Sequence, residues 1–139
     1  MKTPITVLLV CAFCHAQSVT IINSGSTNTG GFQITVDKSG KAVYTSKPQG
    51  VDRSAAPKVI RKTIPKSLRE RLYLDVMAAS PLSLLPPQRC VKSVSFGTRL
   101  TIGFEDDISP DLSCGAGGNA KLQALIRDAY QVLKFFRPE

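Results

Sequence analysis

Residues Phe32-Gln33-Ile34-Thr35-Val36 alternate apolar and polar side chains. A period of two commits one face of a strand to a core and leaves the other to solvent. Asp37-Lys38-Ser39-Gly40 follows with the residue types that reverse a chain, and Ala42-Val43-Tyr44-Thr45 returns as the partner. A hairpin of this kind is marginal alone and needs a further layer against its apolar face. Two segments have the period of 3.6 that supplies one. Ile64, Leu68, Leu72, Val76 and Ala79 recur at helical spacing after Pro65, which suits a first helical turn because its missing N–H costs nothing there. Pro81 disfavours helical geometry at Ser80, so this helix ends near Ala79. Leu122, Leu125, Ile126, Ala129, Leu133 and Phe136 follow the same rule behind Asn119, a good N-cap.

A short β-branched run, Val19 to Asn23, reads as a first strand, and a polar Gly-rich loop follows at 24–31 (SGSTNTGG). Residues 47–57 contain two prolines and no periodicity, and read as an exposed connection. Residues 58–64 fit either an edge strand or an extended lead-in. Val94, Phe96, Leu100, Ile102 and Phe104 all fall at even positions, so 91–105 reads as a strand with a bend at Gly97. Asp106-Asp107 turns the chain, and 108–112 returns as a short strand confined to a sheet edge by Pro110. Residues 115–118 (GAGG) form a joint before the last helix. The expected fold is α+β, in the order hairpin-helix-hairpin-helix: two antiparallel hairpins form a sheet with two helices on one face.

The first 16 residues are read separately. One positive charge at Lys2 precedes an apolar run from Ile5 to Cys14, and Cys14-His15-Ala16 places small residues before a cut ahead of Gln17. This is the plan of a signal peptide, too short to span a bilayer, and it places the mature protein in a secreted or periplasmic setting. Residues 17–139 then form a single domain. Removing the leader takes away two of four Cys and the single His, and loss of Lys2 reduces the net charge from +8 to +7. Without His, a Ser-His-Asp triad is excluded and most zinc sites with it. Cys90 and Cys114 remain, in a compartment where disulfides persist. They lack both the CxxC spacing and the neighbouring His that would activate a thiol. A structural bridge is expected.

Three segments, NSGSTNTGG at 23–31, CVKSVSFGT at 90–98 and SPDLSC at 109–114, are similar to marks of a family of short exported bacterial proteins of unassigned function. The resemblance implies export, one domain and the Cys90–Cys114 pair. It carries no catalytic or binding residue onto this chain.

Charge is concentrated. Residues 38–71 hold ten cations, among them Lys58, Arg61 and Lys62, against Asp52 and Glu70, whereas residues 72–139 balance. A one-sided field attracts anions. Only Tyr44 and Tyr73 lie near this stretch, so base stacking is not suggested and nucleic acid is not an expected partner. The run EDDISPD (105–111) lacks the glycine and alternating spacing of a calcium loop. The GAGG joint lacks the Lys-Ser/Thr of a phosphate loop. No metal or cofactor is expected. The leading reading is a non-enzymatic domain that binds another envelope protein or an anionic polymer through Ser26 and Asn28 of the polar loop and through Lys58, Arg61 and Lys62. The alternatives are a small hydrolase or lyase built on Glu105, Asp107 and Tyr44, and a structural subunit exposing Leu82, Leu84 and Leu85.

Overall fold

The computed structural model describes residues 17–48 and 55–137. The expected leader at 1–16 and most of the 47–57 connection lie outside the described residues. Six strands, β1 (Ser18–Asn23), β2 (Phe32–Asp37), β3 (Lys41–Ser46), β4 (Val59–Thr63), β5 (Leu100–Phe104) and β6 (Asp107–Ile108), form one antiparallel sheet in the order β4-β3-β2-β1-β5-β6. Two helices, α1 (Lys66–Ala79) and α2 (Ala120–Lys134), complete the α+β fold.

The period-two segments behave as their patterns require. Val19 and Ile21 of β1, Ile34 and Val36 of β2, and Leu100 and Ile102 of β5 are buried on one sheet face against Leu68, Leu72, Val76, Leu122, Leu125 and Val132 of the helices. Burial of this continuous apolar layer is the dominant favourable term in the fold. The β2–β3 turn is closed by Asp37, whose Oδ1 accepts from Ser39 N at 2.9 Å and Lys41 N at 3.0 Å. Asn119 caps α2, its side chain accepting from Leu122 N at 3.0 Å. Ser80 is extended, and α1 ends at Ala79.

The expected order needs two corrections. Four strands, not one hairpin, precede α1: β1 to β4 form a meander, and Val59–Thr63 is its edge strand. β1 also pairs with β5, from Val19 opposite Phe104 to Asn23 opposite Leu100, so the two halves share one sheet. The second correction concerns 91–105, where only Leu100–Phe104 is strand. β1 stops at Asn23, opposite Leu100, and residues 91–99 have no strand edge to pair with. Val94 and Phe96, expected on a core face, are exposed.

The expected return strand at 108–112 is likewise shortened to Asp107–Ile108. Pro110 has no N–H to donate, so side chains take over the ladder. Ser109 N donates to Ile102 O at 2.9 Å, Ile102 N donates to Ser109 Oγ at 2.9 Å, and Leu100 N donates to Asp111 Oδ1 at 3.1 Å. Leu112 N then donates to Leu100 O at 2.7 Å. The segment follows β5 closely without being a strand.

Candidate functional site

The three segments 23–31, 90–98 and 109–114 meet at one end of the sheet. The 24–31 loop leaves β1 and returns to β2 within eight residues, and its two ends approach closely at Gly25 and Gly31. Gly25 has φ +65°, and a Cβ there would stand 2.6 Å from Gly31 N; a Cβ on Gly31 would stand 2.5 Å from Asn23 O. Only glycine permits that approach. The loop then serves as a bracket for 91–99. Ser24 N donates to Arg99 O and Arg99 N to Ser24 Oγ, both at 2.9 Å. Ser26 Oγ and Asn28 N both donate to Ser95 O, at 2.7 Å and 2.9 Å.

From the other side the 91–99 loop is held by Lys92. Its Nζ donates to Asp111 Oδ2, to Ser113 Oγ at 2.5 Å and to Thr98 O at 2.7 Å. Asp111 also accepts from Leu100 N, and from Ser113 N at 3.0 Å and Ser113 Oγ at 2.6 Å. Burial alone would raise the Asp111 carboxyl. The hydrogen bonds from Lys92 and Ser113 outweigh it and bring the group down to about 2. A Ser–Lys pair can serve as nucleophile and base. Here Lys92 Nζ spans Thr98, Asp111 and Ser113 at once and ties the 91–99 loop to 109–114. The cluster is a structural knot. The Cys90–Cys114 disulfide, with Cα atoms 5.4 Å apart, closes the base of the same loop.

What this bracing holds up is apolar. Val91 is 102% exposed, Val94 91% and Phe96 66%, within six residues of chain. Gly97 N donates to Ser93 O at 2.7 Å and turns the chain beneath them, and a Cβ on Gly97 would meet that oxygen at 2.4 Å. The loop is therefore shaped by its own backbone and anchored at both ends, with its large apolar side chains left to solvent. The sequence signal for this was present but ambiguous, since a surface loop and a half-buried strand show the same alternation when no partner strand is known.

The other expected site residues are dispersed. Arg61 pairs in register with Val43 and Lys62 with Ala42, so strand alternation sends their side chains to opposite sheet faces. Lys62 Nζ donates to Phe135 O at 2.6 Å and lies 6.0 Å from the Phe136 ring centroid, at the carbonyl end of α2. Lys58 N donates to Ser46 Oγ at 2.8 Å, at the loop-bearing end of the sheet. Further along, Lys66 and Arg69 lie 3.7 Å from Glu70, and Arg71 binds Asp128. The band that looks continuous in sequence is thus divided among several local partners.

Tyr44 stacks between Phe32 and Phe136, with centroids 5.6 Å apart in each case. Asp107 accepts from Leu82 N, and from Ser83 N at 3.0 Å; hydrogen bonding to the Ser83 side chain, ahead of these backbone bonds, lowers its carboxyl. Glu105 accepts from Gln17 Nε2 at 2.8 Å. β3 and β6 are four strand spacings apart in the sheet, or roughly 19 Å. The structure does not bring Tyr44 together with Asp107 and Glu105. Leu82 and Leu85 are buried and Leu84 alone is exposed, so the apolar patch expected there does not form.

One cluster was missed. Asp128 lies on the buried stripe of α2 and its side chain is fully inaccessible. Its Oδ1 accepts from Arg71 Nε at 2.8 Å and Arg127 Nε at 3.1 Å, and the same Arg127 donates through Nη2 to Asp75 at 2.7 Å. Asp128 Oδ2 has no hydrogen-bond partner among the described residues. Burial, then the neighbouring Asp128, raise the Asp75 carboxyl. A raised carboxyl contributes stability that is complete below the usual value of 3.8 and lost as pH rises through the higher folded value. The expected result is a urea midpoint that falls as pH rises above 4, with Asp75→Asn flattening the slope. A variant with the wild-type slope would show that the two carboxyls do not interact. The signal in sequence was a carboxylate at Asp128 where the Leu122, Leu125, Ala129 stripe calls for an apolar residue.

Among the described residues no group of three or more His, Cys, Asp or Glu could hold a metal ion, and no helix is long and apolar enough to cross a membrane. No protein-family model and no curated protein matches the chain.

Proposed function

We propose that the chain is an exported, non-enzymatic binding domain that engages an envelope component through the end of the sheet where the 24–31 and 91–99 loops meet. The observation that carries this reading is the exposure of Val91, Val94 and Phe96 on a loop braced by a disulfide, a Lys–Asp knot and the polar loop beside it. Leaving large apolar side chains in water is unfavourable, and clusters of them mark interaction surfaces. Bracing lowers the ordering cost of binding, because the loop is already held before the partner arrives. Ser26 and Asn28 belong to this end as supports of Ser95, while Lys58 contributes charge at its margin.

The test compares the exported, oxidised protein with a Val94→Ser/Phe96→Ser double variant in affinity capture from native cell envelope, followed by salt-step elution. Both side chains are outside the core, so the variant is expected to keep its circular dichroism and unfolding midpoint. Recovery of the envelope component should drop on the order of tenfold, the scale set by two exposed apolar anchors. Equal recovery from the two proteins would sink the reading.

A further inference from the structure

We infer that the component engaged is an anionic phospholipid surface, with Val94 and Phe96 entering the headgroup layer and a ring of cations meeting the phosphates. This rests on the binding reading above and names its partner.

Shape and charge favour this occupant over a protein. An exposure of 102% at Val91 and 91% at Val94 describes a convex tip, with no side chain among the described residues rising around it to form the flat, enclosed patch typical of protein interfaces. The tip is also turned, through the Gly97 N to Ser93 O bond, and so offers no extended edge for a partner strand or a cleft that reads extended chain. A convex apolar tip is what an interfacial membrane anchor needs.

The charges around it are arranged to match. Arg89 and Arg99 bracket the loop in sequence, and both are exposed. Lys47 N donates to Gly31 O and Ser46 N to Lys58 O, which places Lys47 and Lys58 at the same end of the sheet. Among the described residues no carboxylate forms an ion pair with any of these four. Among the described residues Asp111 is the carboxylate of this end, and Lys92 pairs with it. Asp37, Glu105, Asp106 and Asp107 all lie toward the opposite end, where β2 stops and β5 turns into β6. Among the described residues the loop end thus carries four cations in no carboxylate ion pair beside its apolar tip, while those four carboxylates lie at the other end together with Lys38 and Lys41. Each cation near an anionic leaflet strengthens attraction severalfold, and apolar insertion adds to it independently of salt.

The experiment is co-sedimentation of the exported, oxidised protein with vesicles of pure phosphatidylcholine and with vesicles containing 30 mol% phosphatidylglycerol. The expected result is binding that requires phosphatidylglycerol, with Val94→Ser/Phe96→Ser and Arg89→Gln/Arg99→Gln each lowering the partition coefficient on the order of tenfold. All four side chains are outside the core, and unchanged unfolding midpoints separate loss of binding from loss of fold. Two results overturn the inference: no phosphatidylglycerol-dependent binding, or Val94→Ser/Phe96→Ser binding as the wild type does, which would reduce the effect to diffuse surface charge. If vesicles fail while envelope capture still depends on Val94 and Phe96, the lipid is excluded and the binding reading survives with a protein partner.

Discussion

Replacing both cysteines, Cys90→Ser with Cys114→Ser, is expected to lower stability by about 3 kcal/mol and to weaken binding through the 91–99 loop beyond what the stability loss explains. The bridge joins residues 24 positions apart, and its removal restores to the unfolded chain the freedom that a closed loop of this length had lost. The folded state suffers as well. Between Cys90 and Cys114 lie the apolar tip, β5, β6 and the segment carrying Asp111, so one covalent tie sets both ends of the loop end. Urea unfolding of the oxidised, reduced and doubly substituted proteins would measure the first effect. Envelope capture at a temperature where all three remain folded would measure the second. A doubly substituted protein that unfolds at the wild-type midpoint would mean that the Lys92 knot and the 24–31 bracket hold this end alone.

Asp111→Ala is the second large effect, expected at about 3 kcal/mol. The substitution strips the ammonium of Lys92 of its counter-charge and leaves Leu100 N and Ser113 N without an acceptor. Each partly buried group that loses its partner costs about 1–2 kcal/mol. Asp111→Asn should cost less, because an amide oxygen can still accept from the two backbone N–H groups. The pH dependence distinguishes them from a simple packing loss. The Asp111 carboxyl is held at about 2, below its usual 3.8, so its contribution is fully present above pH 4 and is lost as pH falls toward 2. Over that window the wild type should lose about 1–2 kcal/mol more than Asp111→Asn, allowing for partial solvent screening. The Asp75 effect runs the other way and above pH 4, so the two carboxylates act in separate ranges. Parallel acid profiles for the wild type and Asp111→Asn would contradict the assignment.

Much of the fold was legible because its cues are local. The turn at 37–40 declared itself through Asp37 and Gly40, and the second helix through Asn119 and its apolar stripe. The first helix followed from Pro65 and Pro81, which bracket it. What failed was inference across long separations. Val94 and Phe96 continue the alternation of Leu100 and Ile102, yet that alternation buries a face only where β1 runs alongside, and β1 ends at Asn23. The candidate site was legible in pieces. Ser26 and Asn28 support it and the cysteines brace it, but the alternation that placed Val94 and Phe96 on a core face concealed their exposure.

From the sequence alone came the two-layer α+β class, the bounds of the helices and the Cys90–Cys114 pair, since periodicity, caps and cysteine number act within a window of chain. The tertiary structure alone decided that the strands before the first helix form one meander whose first strand pairs with β5, that Arg61 and Lys62 part to opposite faces, that Asp128 is buried beside Asp75, and that three distant loops close one end of the sheet. Those outcomes depend on which strand edge lies next to which segment, and that is set by the packing of the whole chain.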